Sequence, residues 1–183
     1  MDINEYRPRE VFAPLHARKQ RWAVMVSHRR AGKTVAMCVD IMVSALRCSH
    51  PNPQFAYQAK KVAWSYLKDL SKPVWAKKPN ESELIITIKN EAGGESRIFV
   101  GGADHPDSYR GMYFDGVVLD EVGHIRPSAW YSVLRPSLSD RLGWAIFAGT
   151  PSGKNFFWQM REEARLNPET YLLMELPASK TNI

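Results

Sequence analysis

Short hydrophobic runs without polar interruption mark the chain at three places: Trp22 to Val26, Val117 to Leu119, and Ala145 to Ala148. Such continuous runs are typical of strands that are buried on both faces, as in a parallel sheet covered by helices. A weaker run at residues 54–57 predicts another strand. Two further runs, at 84–88 and 97–100, flank Gly93 and Gly94 and predict a β-hairpin.

Helical patterns lie between these runs. The predicted helices cover residues 33–48, 60–72, 127–138 and 154–166. The first is apolar almost all round, so we expect it to be buried. The alternation of strands and helices predicts an α/β fold with a central, mostly parallel sheet flanked by helices, plus the hairpin. The chain has 183 residues, which is room for one domain or for one domain plus a tail. No apolar run approaches the roughly 18 residues that a membrane helix needs.

A polar cluster follows each of the three hydrophobic runs directly. The first run leads into residues 27–34, the second into Asp120 and Glu121, and the third into residues 149–152. In open parallel sheets, ligands bind in the crevice beyond the carboxyl ends of the strands. We therefore expect the three clusters to converge on one site.

The first cluster ends in Gly32-Lys33-Thr34, the tail of the phosphate-loop pattern G-x-x-x-x-G-K-[ST], with Ser27 in place of the first glycine. In this motif backbone N–H groups and the following helix N-terminus surround the phosphates. Lys33 would reach the β- and γ-phosphates, and the Thr34 hydroxyl would bind Mg²⁺. The alternative is an ordinary strand-to-helix turn with a surface lysine. The predicted nucleotide-binding residues are His28, Arg29, Arg30, Ala31, Gly32, Lys33, Thr34 and Val35.

The two arginines of this loop, Arg29 and Arg30, are either plain loop charges or partners of phosphate oxygens or of the catalytic carboxylate.

The second cluster fits the acidic element of a phosphate-loop ATPase. Asp120 would orient Mg²⁺, and Glu121 would activate the attacking water as a general base. Acidic pairs at strand ends are also common without any such role. A glutamate directly after the aspartate favours ATP over GTP, and the guanine-reading sequence Asn-Lys-x-Asp is absent.

Two single residues complete the candidate site. Thr150 follows the third run and is interpreted as a sensor of the γ-phosphate, although its segment also has the composition of a simple turn. Arg110 lies eleven residues before Glu121. It is either a surface arginine or a finger that enters the site of a neighbouring subunit, as such arginines do in other phosphoryl-transfer enzymes.

The net charge and the cysteine content add little to the interpretation of the function. The net charge is +6, and residues 1–33 hold eight Lys and Arg against three Asp and Glu. This basic segment indicates either a polyanionic partner or a solvated basic surface. Cys38 and Cys48 form neither a disulfide framework nor a metal-ligand spacing, and the five histidines show no metal spacing either.

The three clusters together resemble the ATPase domain of the large terminase subunit of tailed bacteriophages. The resemblance rests on residues 28–34, on Val118 to Glu121, and on Gly149 to Asn155, with residues 6–9 similar to the adenine-side segment of that family. It implies the RecA-like, additional-strand P-loop NTPase fold and a motor that hydrolyses ATP to move double-stranded DNA into a preformed capsid. It also implies that Arg29 is the phosphate-loop arginine, that Arg110 acts in trans, and that Thr150 is the coupling residue.

The same resemblance implies the partners and the setting. These are a homo-oligomeric ring, commonly of five subunits, a portal protein, a small terminase subunit, and the cytoplasm of an infected bacterium, where the motor docks on the procapsid. A monomer is expected when the protein is free, and no membrane is involved. Residues 1–176 would form the ATPase domain, and 177–183 the start of a linker toward a nuclease domain that this chain lacks, so no nuclease activity is expected.

Two other functions stay open at this point. The first is a superfamily-2-like helicase or translocase, which shares the Asp-Glu pair but for which a second RecA-like domain should follow. The second is a nucleotide-binding ring module that does not hydrolyse ATP. The predicted ligands in the leading interpretation are ATP and Mg²⁺.

Overall fold

A seven-stranded sheet organises the computed structural model, which describes residues 6–58, 61–101 and 106–181. Across the sheet the strand order is β3-β4-β2-β5-β6-β1-β7. Among these strands only β3 and β4 pair antiparallel, and the other neighbours are parallel. The strands are β1 (Trp22–Ser27), β2 (Gln54–Gln58), β3 (Ile85–Lys89), β4 (Glu95–Gly101), β5 (Gly116–Leu119), β6 (Trp144–Gly149) and β7 (Tyr171–Leu176).

Helices cover both faces of this sheet. They are α1 (Ala13–His16), α2 (Lys33–Arg47), α3 (Lys61–Ser71), α4 (Pro127–Ala129), α5 (Arg135–Ser137), α6 (Phe156–Leu166) and α7 (Ala178–Thr181). A π-helical turn, Trp130–Leu134, joins α4 to α5. Short 3₁₀ turns lie at Glu10–Phe12, Lys72–Val74, Pro106–Tyr109 and Val122–His124. None of the helices in the described part of the chain has the length and apolarity needed to cross a membrane.

Two hydrophobic cores form because successive strand residues point to opposite faces. In β1, Met25 packs with α2 and α3 on one face, whereas Val24 packs with α6 and the segment 127–137 on the other. In the same way, Val118 of β5 belongs to the first core and its neighbour Leu119 to the second. The continuous hydrophobic runs are therefore the consequence of burial on both sides of the sheet.

The predicted α/β fold with a mostly parallel sheet and a hairpin is confirmed. The first helix ends at Arg47, and its inner residues are buried as expected. The predicted helix 60–72 corresponds to α3, although Lys60 lies outside the described residues. The last predicted helix begins at Phe156 rather than at 154, because the side chain of Asn155 accepts a hydrogen bond from the Trp158 backbone and caps it.

The strand β7 is not predicted from the sequence. It lies at the edge of the sheet beside β1, and its burial is irregular, so no alternation marks it. A short apolar run of this kind is equally compatible with a helix. The boundary predicted at residue 176 coincides with the end of β7, and α7 follows. The assignment of 177–183 to a linker stays a prediction, and Asn182 and Ile183 lie outside the described residues.

Candidate nucleotide-binding site

The three polar clusters leave the sheet at the same edge. The strands β5, β6 and β1 are neighbours and run parallel, with Val26 opposite Gly149 and Leu119 opposite Phe147. The loops that follow these strands therefore start side by side. This arrangement confirms the expectation that the clusters converge.

The first of these loops connects β1 to α2 through a tight turn. Arg30 and Gly32 have positive φ angles of 64° and 90°, a conformation that glycine adopts at little cost. Gly32 is the N-cap of α2, so the free N–H groups of this helix end point toward the loop. A helix of 15 residues presents a partial positive charge at that end, which favours a bound phosphate.

Lys33 links all three loops through its side chain. It is almost fully buried, with 7% of its surface exposed. Its Nζ lies 3.1 Å from the Glu121 Oε1 and 3.5 Å from the Thr150 Oγ1, to which it donates. One ammonium group thus joins the phosphate loop to the acidic pair and to the loop after β6.

Thr34 and Asp120 form a second contact between the loops. The Thr34 hydroxyl donates to the Asp120 Oδ2 at 3.4 Å, and the Glu121 backbone N–H donates to the Asp120 Oδ1 at 3.0 Å. Burial raises the pKa of the Asp120 carboxyl, an effect that the Lys33 charge opposes and the Glu121 charge increases. The hydroxyl and carboxylate oxygens are hard ligands at adjacent positions, and such oxygens suit Mg²⁺.

Glu121 occupies an unusual backbone conformation for a residue with a side chain. Its φ of 52° lies in the left-handed region, which costs a non-glycine residue about 1 kcal/mol or more. The side chain is 42% exposed and its carboxylate faces Lys33. Strain of this kind concentrates at functional positions, because the surrounding structure must hold it in place.

The arginines and the histidine of the phosphate loop lie at its surface. Arg29 and Arg30 are exposed, and the His28 Nδ1 lies 2.6 Å from the Arg29 backbone carbonyl. Ala31 is buried, and Val35 lies partly buried in the first turn of α2. A direct phosphate contact from either arginine stays a prediction.

Arg110 lies apart from this group. It is exposed and lines a surface pocket of about 350 Å³ together with Ser132, Pro136 and Asp140. The described residues that line this pocket come from 109–113 and 132–140, not from the phosphate loop. Its proposed action on a neighbouring subunit is therefore compatible with its position but stays a prediction.

Two supporting residues, Asn155 and Arg9, lie in segments that the sequence analysis quoted but without a role of their own. Asn155, besides capping α6, donates to the carbonyls of Ser152 and Gly123, at 3.0 and 3.5 Å. It thereby ties the Thr150 loop to the turn after Glu121. Arg9 donates to the Ala31 carbonyl at 2.9 Å and braces the phosphate loop from outside. An asparagine before a helix is a recognisable cap signal, whereas the sequence holds no signal for the Arg9 contact.

A larger pocket of about 650 Å³ lies on the outer side of α2, away from the converging loops. Its wall includes Asp40, which accepts a hydrogen bond from Arg18 at 2.8 Å and lies 3.1 Å from the His16 Nδ1. Tyr6 contacts the other ring nitrogen of His16 at 3.2 Å. These contacts attach the N-terminal segment to the middle of α2.

Comparison with known proteins places this geometry in context. No protein-family model matches the chain. Over 57 residues it is 46% identical to a large terminase subunit of Thermus phage G20c, a stretch that covers 31% of this chain and 12% of that relative. The match thus spans only a small part of the relative's length.

Solved structures match over nearly the whole chain. The large terminase ATPase domain of Thermus phage P74-26 superposes with a TM-score of 0.79 at 22% identity, covering 95% of this chain and 82% of that one. The large terminase of another thermophilic bacteriophage, in complex with ADP, superposes with a TM-score of 0.76 at 16% identity. The superposition covers 94% of this chain and 46% of that one. The resemblance noted in the sequence is therefore confirmed at the level of the fold: the chain has the α/β fold of the ATPase domain of phage large terminases.

Proposed function

We propose that this chain is the ATP-hydrolysing motor domain of a DNA-packaging terminase. The observation that carries the proposal is the position of the Lys33 ammonium, which contacts both Glu121 and Thr150. Enzymes that bind and cleave a triphosphate use three such groups: a lysine after a glycine-containing turn, a carboxylate and a hydroxyl. Here each group follows one of three parallel strands.

Binding of ATP would use the phosphate loop and α2. The backbone N–H groups at the start of α2 would surround the β-phosphate, and Lys33 would pair with the β- and γ-phosphates. Thr34 and Asp120 would hold Mg²⁺, which neutralises phosphate charge when it is bound. Their oxygens already lie 3.4 Å apart, so no large rearrangement of this chain is needed.

Hydrolysis would follow from the release of Glu121. When the γ-phosphate takes over the charge of Lys33, the Glu121 carboxylate loses its partner and becomes available as a base. Water attacks the γ-phosphorus, its proton passes to Glu121, and the bond to the β–γ bridging oxygen breaks, giving ADP and phosphate. Arg29 of the same subunit and Arg110 of a neighbouring subunit would stabilise the charge that develops on the transferred group.

Coupling to DNA would begin at Thr150. Its hydroxyl accepts from Lys33, and its loop is joined by Asn155 to α6 and to the turn after Glu121. Loss of the γ-phosphate would thus change the contacts of the Thr150 loop and, through Asn155, those of α6 and of the turn after Glu121. The proposal includes the translocation of double-stranded DNA by a ring of such domains docked on a portal protein in an infected bacterium, with a small terminase subunit as partner. Residues 1–176 would form the motor domain and 177–183 the start of a linker.

An ATPase assay with Mg²⁺ tests the proposal, with and without duplex DNA and capsid portals. The parent protein should release phosphate faster when the ring can assemble, and Lys33→Ala should abolish both nucleotide binding and turnover. Lys77→Ala is the matched control, because Lys77 is exposed and belongs to none of the three loops. Normal hydrolysis by Lys33→Ala would contradict the site. Separation of the strands of a forked duplex would instead support the helicase alternative.

A further inference from the structure

Three metal-ligating side chains converge at the end of the sheet opposite to the phosphate loop. The Cys48 sulfur, a His50 ring nitrogen and an Asp115 carboxylate oxygen all lie within 4.8 Å of one another. Asp115 directly precedes β5, whereas Asp120 follows it, so the two carboxylates mark opposite ends of the same strand. The sequence analysis found no metal spacing here, because Asp115 lies 65 residues from His50.

The local structure holds these three groups in place. Cys48 is the C-cap of α2, and His50 follows in the turn before β2. The Asp115 carboxylate is buried, accepts the Gln54 backbone N–H at 2.8 Å through Oδ2, and lies 2.6 Å from the His50 Nδ1 through Oδ1. Each ligand therefore comes from a different element, and the carboxylate is fixed by the backbone of β2.

The chemistry of this donor set is specific. A thiolate, an imidazole and a carboxylate are the ligands that proteins use for Zn²⁺, and Mg²⁺ or Ca²⁺ would not select a thiolate. In a tetrahedral site with ligand distances of about 2.0–2.3 Å, the donor atoms lie roughly 3.5 Å apart. The present separations, from 2.6 Å to at most 4.8 Å, need changes of up to about 1.3 Å to match this value. The C-terminal end of α2 adds a partial negative charge that favours a cation.

One positive group lies close by. The Arg141 Nη1 is 3.7 Å from the Asp115 Oδ1. The same guanidinium donates to the Pro51 carbonyl at 3.0 Å and stacks on the Tyr113 ring at 4.2 Å. These two contacts hold Arg141 independently of the carboxylate. A bound cation can therefore take the place of Arg141 at Asp115, and Arg141 still keeps two partners.

We propose that Cys48, His50 and Asp115 bind one Zn²⁺ ion, with water as the fourth ligand. His50 is exposed and Cys48 is partly exposed, so the ion has a route of entry and room for the water. The metal joins the C-terminal end of α2 to the start of β5 and stabilises the side of the sheet that carries no nucleotide site. This proposal does not depend on the proposed function.

Titration of the protein with Co²⁺ as a spectroscopic substitute tests the proposal. The parent should show a thiolate-to-Co²⁺ charge-transfer band in the near ultraviolet, which added Zn²⁺ removes. The variants Cys48→Ser and His50→Ala should each lose the band, while His124→Ala, another exposed histidine, should keep it. A parent without the band, or a band that persists in His50→Ala, overturns the proposal. Circular dichroism checks that each variant is folded.

Thermal unfolding provides the second measurement. Zn²⁺ should raise the unfolding midpoint of the parent and of His124→Ala but not that of Cys48→Ser, because a ligand stabilises only the state that binds it. Asp115→Asn keeps an acceptor for the Gln54 N–H and should weaken Zn²⁺ binding about 10-fold or more. Equal Zn²⁺ affinity in Asp115→Asn and the parent would remove Asp115 from the site and reject the three-ligand centre.

Discussion

The Nζ of Lys33 lies 3.1 Å from the Oε1 of Glu121, and the two residues come from different strand ends. The pair ties the residue proposed to bind phosphate to the residue proposed to activate water. The Lys33 ammonium pairs with the Glu121 carboxylate until another anion, such as the γ-phosphate, binds the ammonium in its place. Water activation would thus depend on the presence of the γ-phosphate.

Replacement of Glu121 by Gln separates binding from hydrolysis. We expect turnover to fall about 10²–10⁴-fold, because the amide cannot accept the proton from water. Nucleotide affinity should be equal to or higher than that of the parent, since Lys33 loses the charge that competes with phosphate. Phosphate release and the binding of a fluorescent nucleotide measure the two effects.

Glu169→Gln is the control for this variant, because Glu169 is exposed and lies outside the three loops. Normal turnover by Glu121→Gln would refute its role as a base. If the parent under assembly conditions were as inactive as Glu121→Gln, the non-hydrolysing ring module would be the better description.

Arg110→Ala should affect only the assembled protein. Turnover per subunit should rise with concentration in the parent and remain low in the variant, because an arginine supplied by a neighbour is missing. Such arginines contribute about 10³–10⁵ in rate where they operate. The measurement is ATPase activity across a dilution series, with the exposed Arg126→Ala as control. Full activity in dilute monomer, unchanged in Arg110→Ala, would remove the action in trans.

Thr150→Val should uncouple hydrolysis from movement. The substitution keeps the shape of the side chain but removes the oxygen that accepts from Lys33. We expect most of the nucleotide binding to be kept and the length of DNA translocated per ATP to fall sharply, whereas Thr150→Ser should behave like the parent. Simultaneous measurement of packaged DNA and released phosphate gives this ratio. A parental ratio in Thr150→Val would show that coupling takes another route.

Asp40→Asn should change the dependence of stability on pH. Burial alone would raise the pKa of Asp40, but hydrogen bonds from His16 and Arg18 outweigh it and hold the pKa below its ordinary value. A carboxyl of this kind stabilises the fold above its unfolded pKa of about 4, and the contribution is lost as pH falls through the folded pKa.

At neutral pH the Asp40→Asn variant should therefore lose about 3 kcal/mol of unfolding free energy, and the difference should narrow below about pH 4. Chemical denaturation across this range measures the effect. The exposed Asp69→Asn serves as control and should follow the parent. A constant difference at all pH values would mean that the Asp40 charge makes no net contribution.

The sequence predicts the central strands and the β3–β4 hairpin better than the edge of the sheet at β7. The strands β1, β5 and β6 are buried on both faces, so their residues are continuously apolar and the pattern is unambiguous. The edge strand β7 is half covered and gives no such signal. The short helical elements before β1, at residues 10–16, are also not predicted, since the position of this segment depends on single long-range contacts such as that of Arg9 with Ala31.

The same distinction holds for the sites. The convergence of Lys33, Asp120 and Thr150 could be predicted because each follows a hydrophobic run, and parallel strands deliver their ends to one edge. The specific pairing of Lys33 with Glu121 needs the order of the strands, which the sequence does not contain. Cys48, His50 and Asp115 meet only through the pairing of β2 with β5.

The register of β7 against β1 places Leu176 opposite Ser27. The polypeptide therefore leaves its last strand within one strand spacing of the residues that begin the phosphate loop. The segment from residue 177 onward, proposed to begin a linker, would then start beside the loop that is proposed to bind the nucleotide. A small shift in that loop would reach α7 across a single strand spacing.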